Sequence, residues 1–221
     1  AKYSGDPIMP SLKKTAAHLA VMNALLVTLA GTWANADTLS DAITQGQVHL
    51  DFRPRYEFMS QDGKKDANAF TVQTLLGLNS KPISGFSADL QFINVAGIIN
   101  QYNSLRNGKT AYSVIPDPDE SNVNQAYLQF AGIPGWKLRA GRQEINLDDE
   151  RFVGAVGFRQ TPQTFDSVSI SGKPLKDLSI YGAYIWRIKN ILNENVPSQT
   201  ILSEINWSPS SFIHAQGFGY W

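Results

Sequence analysis

The sequence contains no cysteine, which excludes a disulfide scaffold and any thiolate metal site. It has no excess of either charge, with 19 basic and 19 acidic residues, and no basic run. That argues against a nucleic-acid partner. Charged residues make up only 17% of the chain and aromatics 11%, a balance foreign to disordered segments. Histidine is scarce: beyond residue 36 only His49 and His214 occur. A histidine zinc site therefore lacks ligands. A Ser-His-Asp site would need one of these two, and no G-x-S-x-G elbow marks a nucleophile. Nucleotide-binding glycine loops are missing as well. No enzyme, cofactor or metal centre is expected. After residue 37 no run approaches 18 apolar residues, so any membrane role for that part must use strands.

The first residues read as a processing segment. Residues 1–8 precede a plausible initiator, Met9, and read as upstream or non-native sequence. Lys13 and Lys14, the apolar run from Ala16 to Ala30, and Ala34-Asn35-Ala36 together predict a signal peptide over 9–36, with the mature chain starting at Asp37. A short amphipathic or membrane helix is the alternative, but the run is short for a span.

Alternation dominates the rest of the chain. Val48, Leu50, Phe52, Pro54, Tyr56 and Phe58 share one parity, and His49, Asp51, Arg53, Arg55 and Glu57 the other. A strict period of two over 46–60 predicts a strand of the length that suits a tilted membrane span. Further strands are predicted at 69–79, 86–96, 124–131, 136–143, 165–171, 178–188, 200–207 and, as a ninth, 212–221. No helix is expected after the signal. Connections alternate between short turns and long polar stretches, notably 97–122, the pattern of an up-and-down meander.

One stretch breaks the period. Gly141 to Asp166, GRQEINLDDERFVGAVGFRQTPQTFD, holds Arg142, Arg151 and Arg159 with Glu144, Asp148, Asp149 and Glu150. A charged, glycine-punctuated insertion between strands forms a loop at the mouth of a sheet structure or folds into its interior. Asp148-Asp149-Glu150 could bind calcium through oxygen, but arginine-paired or solvated carboxylates are the simpler reading. Adjacent loop positions carry no sign of the spacing that a glycosidase pair needs.

This stretch resembles the signature of the alginate export family of bacterial outer-membrane β-barrels, and FRPRYE at 52–57 resembles that family's first strand. The resemblance implies an antiparallel up-and-down barrel of 18 strands in the outer-membrane lipid, a pore lined by arginine, passage of an alginate-like anionic polysaccharide or another anionic solute, and periplasmic partners of an export complex. It also implies a chain about twice this long, so 37–221 is expected to be the N-terminal part of a partial barrel. An eight-stranded barrel would be filled by its own side chains and conduct nothing large. The expected lining is Arg53, Arg55, Arg139, Arg142, Arg151 and Arg159, with Arg187 weaker. Glu57, Glu144, Asp148 and Asp149 are expected to hold and temper these arginines. Arginine stays charged and pairs with carboxylates through a fork. The same residues could instead be ion pairs bracing the wall. A secreted soluble β-barrel or sandwich binding a ligand is the rival fold reading, with the apolar face inward and the charged row outside.

Overall fold

The computed structural model describes residues 36–221. The upstream stretch and the signal peptide lie, up to residue 35, outside the described residues. A short helix α1 (Ala36–Thr44) leads into nine strands: β1 (Gln47–Met59), β2 (Ala67–Asn79), β3 (Phe86–Gln101), β4 (Glu120–Phe130), β5 (Trp136–Gln143), β6 (Thr164–Leu175), β7 (Leu178–Lys189), β8 (Asn195–Ser210) and β9 (Ile213–Tyr220). Each pairs antiparallel with its neighbours in sequence, in the order β1 to β9. β1 and β9 do not pair, so the described residues form an open part of a barrel wall.

The strands arise from the alternation already noted, and their register settles which side is wet. Phe52 lies opposite Thr74 and Tyr56 opposite Phe70, while Leu90 lies opposite Ala126 and Leu128 opposite Ala140. Val168 continues that face opposite Tyr184, and Tyr184 lies opposite Ile201. This face is apolar and exposed: Val48 is 71% and Phe52 64% accessible. The opposite face carries Thr71, Gln73, Ser167 and Ser169, all buried. A soluble sandwich would have the reverse arrangement. A continuous apolar belt outside and a polar interior are what a strand-built membrane wall requires, and the soluble alternative is set aside on that ground.

The helix is a departure from expectation. Leu39, Ala42 and Ile43 fall on one face at helical spacing, but the stretch is short and only Ala42 of its second half is buried. Its end is held by the β2–β3 turn: the Lys81 amide donates to the Ala42 carbonyl at 2.8 Å, and Lys81 Nζ donates to Gln45 Oε1 at 2.6 Å. The free carbonyl of Ala42 in the last turn thereby finds a donor. Strands β3 and β4 also run further than expected, which shortens the polar connection between them to 102–119.

The two longest connections, 102–119 and 144–163, leave the same end of the sheet, since each follows an odd-numbered strand. Both fold back onto the polar face. Tyr102 and Ile115 pack with Ala67 and Ala69 of β2. Ile145 and Leu147 pack with Phe165, Ala183, Ile185 and Leu202 on β6 to β8, beside Val153, Tyr181 and Ile188. Full burial of an aliphatic side chain stabilises by about 1.5–3 kcal/mol, so Ile145 and Leu147 anchor the start of the second connection against the wall.

Candidate functional site

The segment 144–163 crosses the inner face from β6–β8 to β1 and β2. It turns through three non-glycine residues in the left-handed region, Asp148 (φ 53), Glu150 (φ 60) and Val156 (φ 54). For a β-branched valine that conformation is costly, and the Arg159 amide donating to the Val156 carbonyl at 3.0 Å closes the turn there. One end of the segment is anchored by the apolar cluster. The other end is anchored by polar contacts.

Those contacts centre on Arg53 and Gln160. Arg53 donates through Nε to Gln160 Oε1 at 3.0 Å and through Nη1 to the Gly157 carbonyl at 2.8 Å, and Nη2 donates to the Arg159 carbonyl. Arg55 donates to the Phe158 carbonyl and, at 2.5 Å, to Glu57 Oε2. Arg159 Nη1 lies 3.2 Å from Glu57 Oε2. The buried carboxylate of Asp117, brought in by the other long connection, accepts from the Gln160 amide at 3.0 Å. Its second oxygen lies 3.8 Å from Arg55 and 3.7 Å from Arg159. Gln160 is fully buried. It donates to Thr71 Oγ1 at 2.7 Å and accepts from Gln73 through its own carbonyl, while Thr161 Oγ1 donates to Glu120 Oε1 at 2.5 Å. The Tyr102 hydroxyl donates to the Asp117 carbonyl at 2.7 Å, and its burial pushes that phenol well above the usual tyrosine range. Three positive and two negative groups, Arg53, Arg55 and Arg159 with Glu57 and Asp117, thus act as a latch between segment and wall.

The expected lining residues divide into four sets. Arg53, Arg55, Arg159 and Glu57 come together in the latch, largely engaged. Arg139 stands apart on the inner face of β5, donating to Gln129 Oε1 at 3.0 Å with its guanidinium 4.8 Å from the Tyr127 ring centroid. Among the described residues no carboxylate lies within ion-pair distance of it. Arg151 and Asp149 pair at 3.3 Å on the exposed bend of the segment, and Asp148 accepts from Gln216 of β9. Arg142 forms the fourth set. It shares the parity of Trp136, Leu138 and Ala140 and lies opposite Ala126, on the apolar outer face, where it pairs with Asp166 at 2.8 Å. Sequence reasoning missed Gln160, Thr71, Gln73 and Asp117. Only Asp117 carried a signal, its place between Pro116 and Pro118 in a long connection. Gln160 carried none.

Glu144 opens the segment. Asn124 Nδ2 donates to its Oε1 at 2.9 Å. Burial nevertheless raises its carboxyl above the ordinary range; the Asn124 bond opposes the rise, and Glu150 and Asp89 add to it. A raised carboxyl pKa means that the ionised form is disfavoured in the fold. That penalty is absent below the unfolded-state value, sets in as pH rises toward the folded value, and is complete above it. Glu144→Gln should therefore raise stability near pH 7 while keeping an acceptor for Asn124. The gain should vanish at roughly pH 3, below the free carboxyl pKa of about 4.3. Urea midpoints of both chains in detergent at the two pH values measure this; a gain that persists at the lower pH would contradict it.

A family model described as alginate export matches residues 44–187. No curated protein matches the chain. Its fold is similar to that of Pseudomonas aeruginosa OccK8 (OprE), with a TM-score of 0.60 at 12% identity, over 80% of this chain and 46% of that one. Acinetobacter baumannii OccAB3 aligns with a TM-score of 0.63 at 10% identity, over 81% and 50% of the two chains. Pseudomonas aeruginosa OccK2 (OpdF), solved in complex with glucuronate, aligns with a TM-score of 0.52 at 13% identity, over 79% and 45%. The chain thus spans about half the length of the solved structures it matches.

Proposed function

The chain belongs to the alginate export family, a family of the bacterial outer membrane, and on that premise we propose that it contributes the wall and constriction of a pore for anionic solutes of uronate size and chemistry. The infolded segment 144–163 sets the bore. Arg139 is the observation that carries the charge preference. Its guanidinium stands on the inner wall bonded to an amide and beside an aromatic ring; Asp89 lies within electrostatic range, but among the described residues no carboxylate pairs with it directly, so most of its charge is left for a solute, whereas Arg53, Arg55 and Arg159 spend theirs on the latch. A carboxylate passing the constriction can take the fork of Arg139 and leave again, because one exposed contact is weak enough to release. Arg151, on the exposed bend, supplies a second positive group held loosely by Asp149. OccK2 was solved with glucuronate, a uronate carrying one carboxylate, which supports this solute class. Arg142 has no part in the lining. Threading of an alginate-like polysaccharide, and docking of periplasmic partners of an export complex, extend the same proposal.

The test is reversal potential across a planar bilayer holding the full chain. The unmutated pore should prefer chloride to potassium. Arg139→Glu should lower that preference several-fold, most clearly at about 0.01–0.1 M salt, where screening is weak. It should also weaken current block by added glucuronate and by polyuronate. A cation-preferring pore, or a selectivity indifferent to Arg139→Glu, would overturn the reading. Block by glucuronate without block by polyuronate would confine it to small solutes.

A further inference from the structure

The outer face of the wall is apolar almost throughout, with one charged exception. Arg142 of β5, Asp166 of β6 and Arg187 of β7 lie side by side in register, Arg142 opposite Asp166 and Asp166 opposite Arg187. Asp166 accepts from Arg142 Nε at 2.8 Å and Nη2 at 3.2 Å and from Arg187 Nε at 2.5 Å. Arg142 Nη1 donates to the Val123 carbonyl at 3.2 Å. The carboxylate is thus shared; buried Lys189, which donates to Asn122 Oδ1, lies within electrostatic range of the cluster, and the three groups themselves carry one positive charge beyond compensation. That charge sits on Arg187, whose side chain is 44% exposed against 20% for Arg142. Among the described residues its two terminal amino groups have no partner. The three strands are flanked by others on both sides, so the cluster is part of the finished wall.

Its depth is informative. Arg142 and Arg187 lie near the ends of their strands, on the side where the two long connections emerge. Arg187 lies about 30 Å along β7 from Leu178 at the usual rise per residue, or about 23 Å across a wall tilted by roughly 40°, close to the height of an outer-membrane apolar band. Exposed Trp186 stands beside it, at the level where interfacial aromatics collect. Charge in mid-membrane is disfavoured, whereas charge at this edge meets headgroups. Beside the cluster lies a groove of about 320 Å³ lined by Val123, Ala126, Gly141 and Trp186 together with the two arginines and Asp166.

We propose that this cluster and groove form a docking site for a phosphorylated lipid of the leaflet on the long-connection side. The lipid phosphate is held on the free fork of Arg187 and on Arg142, and an acyl chain lies in the groove against Val123 and Ala126. Charge complementarity favours an anion, the apolar groove favours a chain attached to it, and the depth places both at a headgroup. The proposal rests on the outer-membrane location and is independent of the solute conducted.

The experiment uses the full chain in neutral detergent and lipid A as probe, with dephosphorylated lipid A and inorganic phosphate as separate arms. Lipid retained through purification is measured by mass spectrometry of the intact complex, and the melting temperature is recorded in each arm. Lipid A should be retained and should raise the melting temperature; the other two arms should do neither. Arg187→Gln, which leaves the Arg142–Asp166 pair intact, should lower retention about tenfold, the effect of losing one charge-assisted hydrogen-bonding group. If that variant does not fold, Arg187→Lys replaces it: the fork is lost, so reduced retention supports the site and unchanged retention overturns it. Equal retention of dephosphorylated lipid A, or stabilisation by inorganic phosphate alone, overturns the assignment to a lipid phosphate. A folded Arg187→Gln that keeps its lipid but changes oligomeric mass overturns it in favour of a contact between two copies of the chain.

Discussion

Arg53→Met should widen the bore. The methionine keeps the stem of the side chain and removes the donors that reach Gln160 Oε1 and the carbonyls of Gly157 and Arg159. Three acceptors facing the wall then lose their partner. Hydrogen bonds to a charged group contribute about 1.5–3 kcal/mol each, and they are not additive within one guanidinium. Loss on the order of 3 kcal/mol in docking free energy is expected, roughly a hundredfold in the docked population. The apolar anchor at Ile145 and Leu147 remains, so the segment should swing from that end and stay attached. Single-channel conductance should rise and become noisy, and trypsin should gain access to the bond after Arg159, which is half-buried in the closed arrangement. Gln160→Ala should act in the same direction. Unchanged conductance together with an unchanged rate of cleavage after Arg159, with cleavage after exposed Arg151 as the internal reference, would mean that the latch does not hold the segment.

The second large effect concerns the two sides of one strand. Phe52 and Asp51 are neighbours on β1 with opposite parity. Arginine at 52 would stand in the apolar belt, where Phe52 is 64% exposed, and should cost about 2–4 kcal/mol if that position lies near mid-membrane. Arginine at 51 would face the polar interior, where a surface-type change of about 0.5 kcal/mol is expected. Refolding into lipid vesicles from urea, followed by the mobility shift of the folded barrel on gels, gives both numbers. Equal cost at 51 and 52 would refute the assignment of the outer face.

The strands were legible because a membrane wall writes its two environments directly into sequence parity. Each residue from Val48 to Phe58 declares its side, and the same rule places Arg142 outside, since it continues Trp136, Leu138 and Ala140. Counting Arg142 with the infolded stretch overrode that parity: the broken period begins only after Gln143. The latch was legible only in part. Arg53, Arg55, Arg159 and Glu57 stand out as charged, and Glu57 pairs with Arg55 and Arg159, but the contacts that tie the segment to Arg53 and Arg55 are main-chain carbonyls of Gly157, Phe158 and Arg159 and the side-chain amide of Gln160, and carbonyls leave no trace in residue type. Helix α1 was hidden for a different reason. Leu39, Ala42 and Ile43 carry helical spacing, but over only nine residues next to the predicted cleavage site, too short a run to stand out from its surroundings.

The distance along the chain between the two halves of the latch bears on how this protein assembles. Every strand pair joins immediate neighbours in sequence, so the sheet can zip hairpin by hairpin with little loop-closure cost. The contacts of Arg53 with 157–160 instead close loops of more than a hundred residues: the Arg53–Gln160 bond spans 107. They can form only after β1 to β6 already stand side by side, with Asp117 delivered by the connection between β3 and β4. The wall therefore precedes its constriction, and for part of its folding the molecule is a trough whose polar floor is still uncovered.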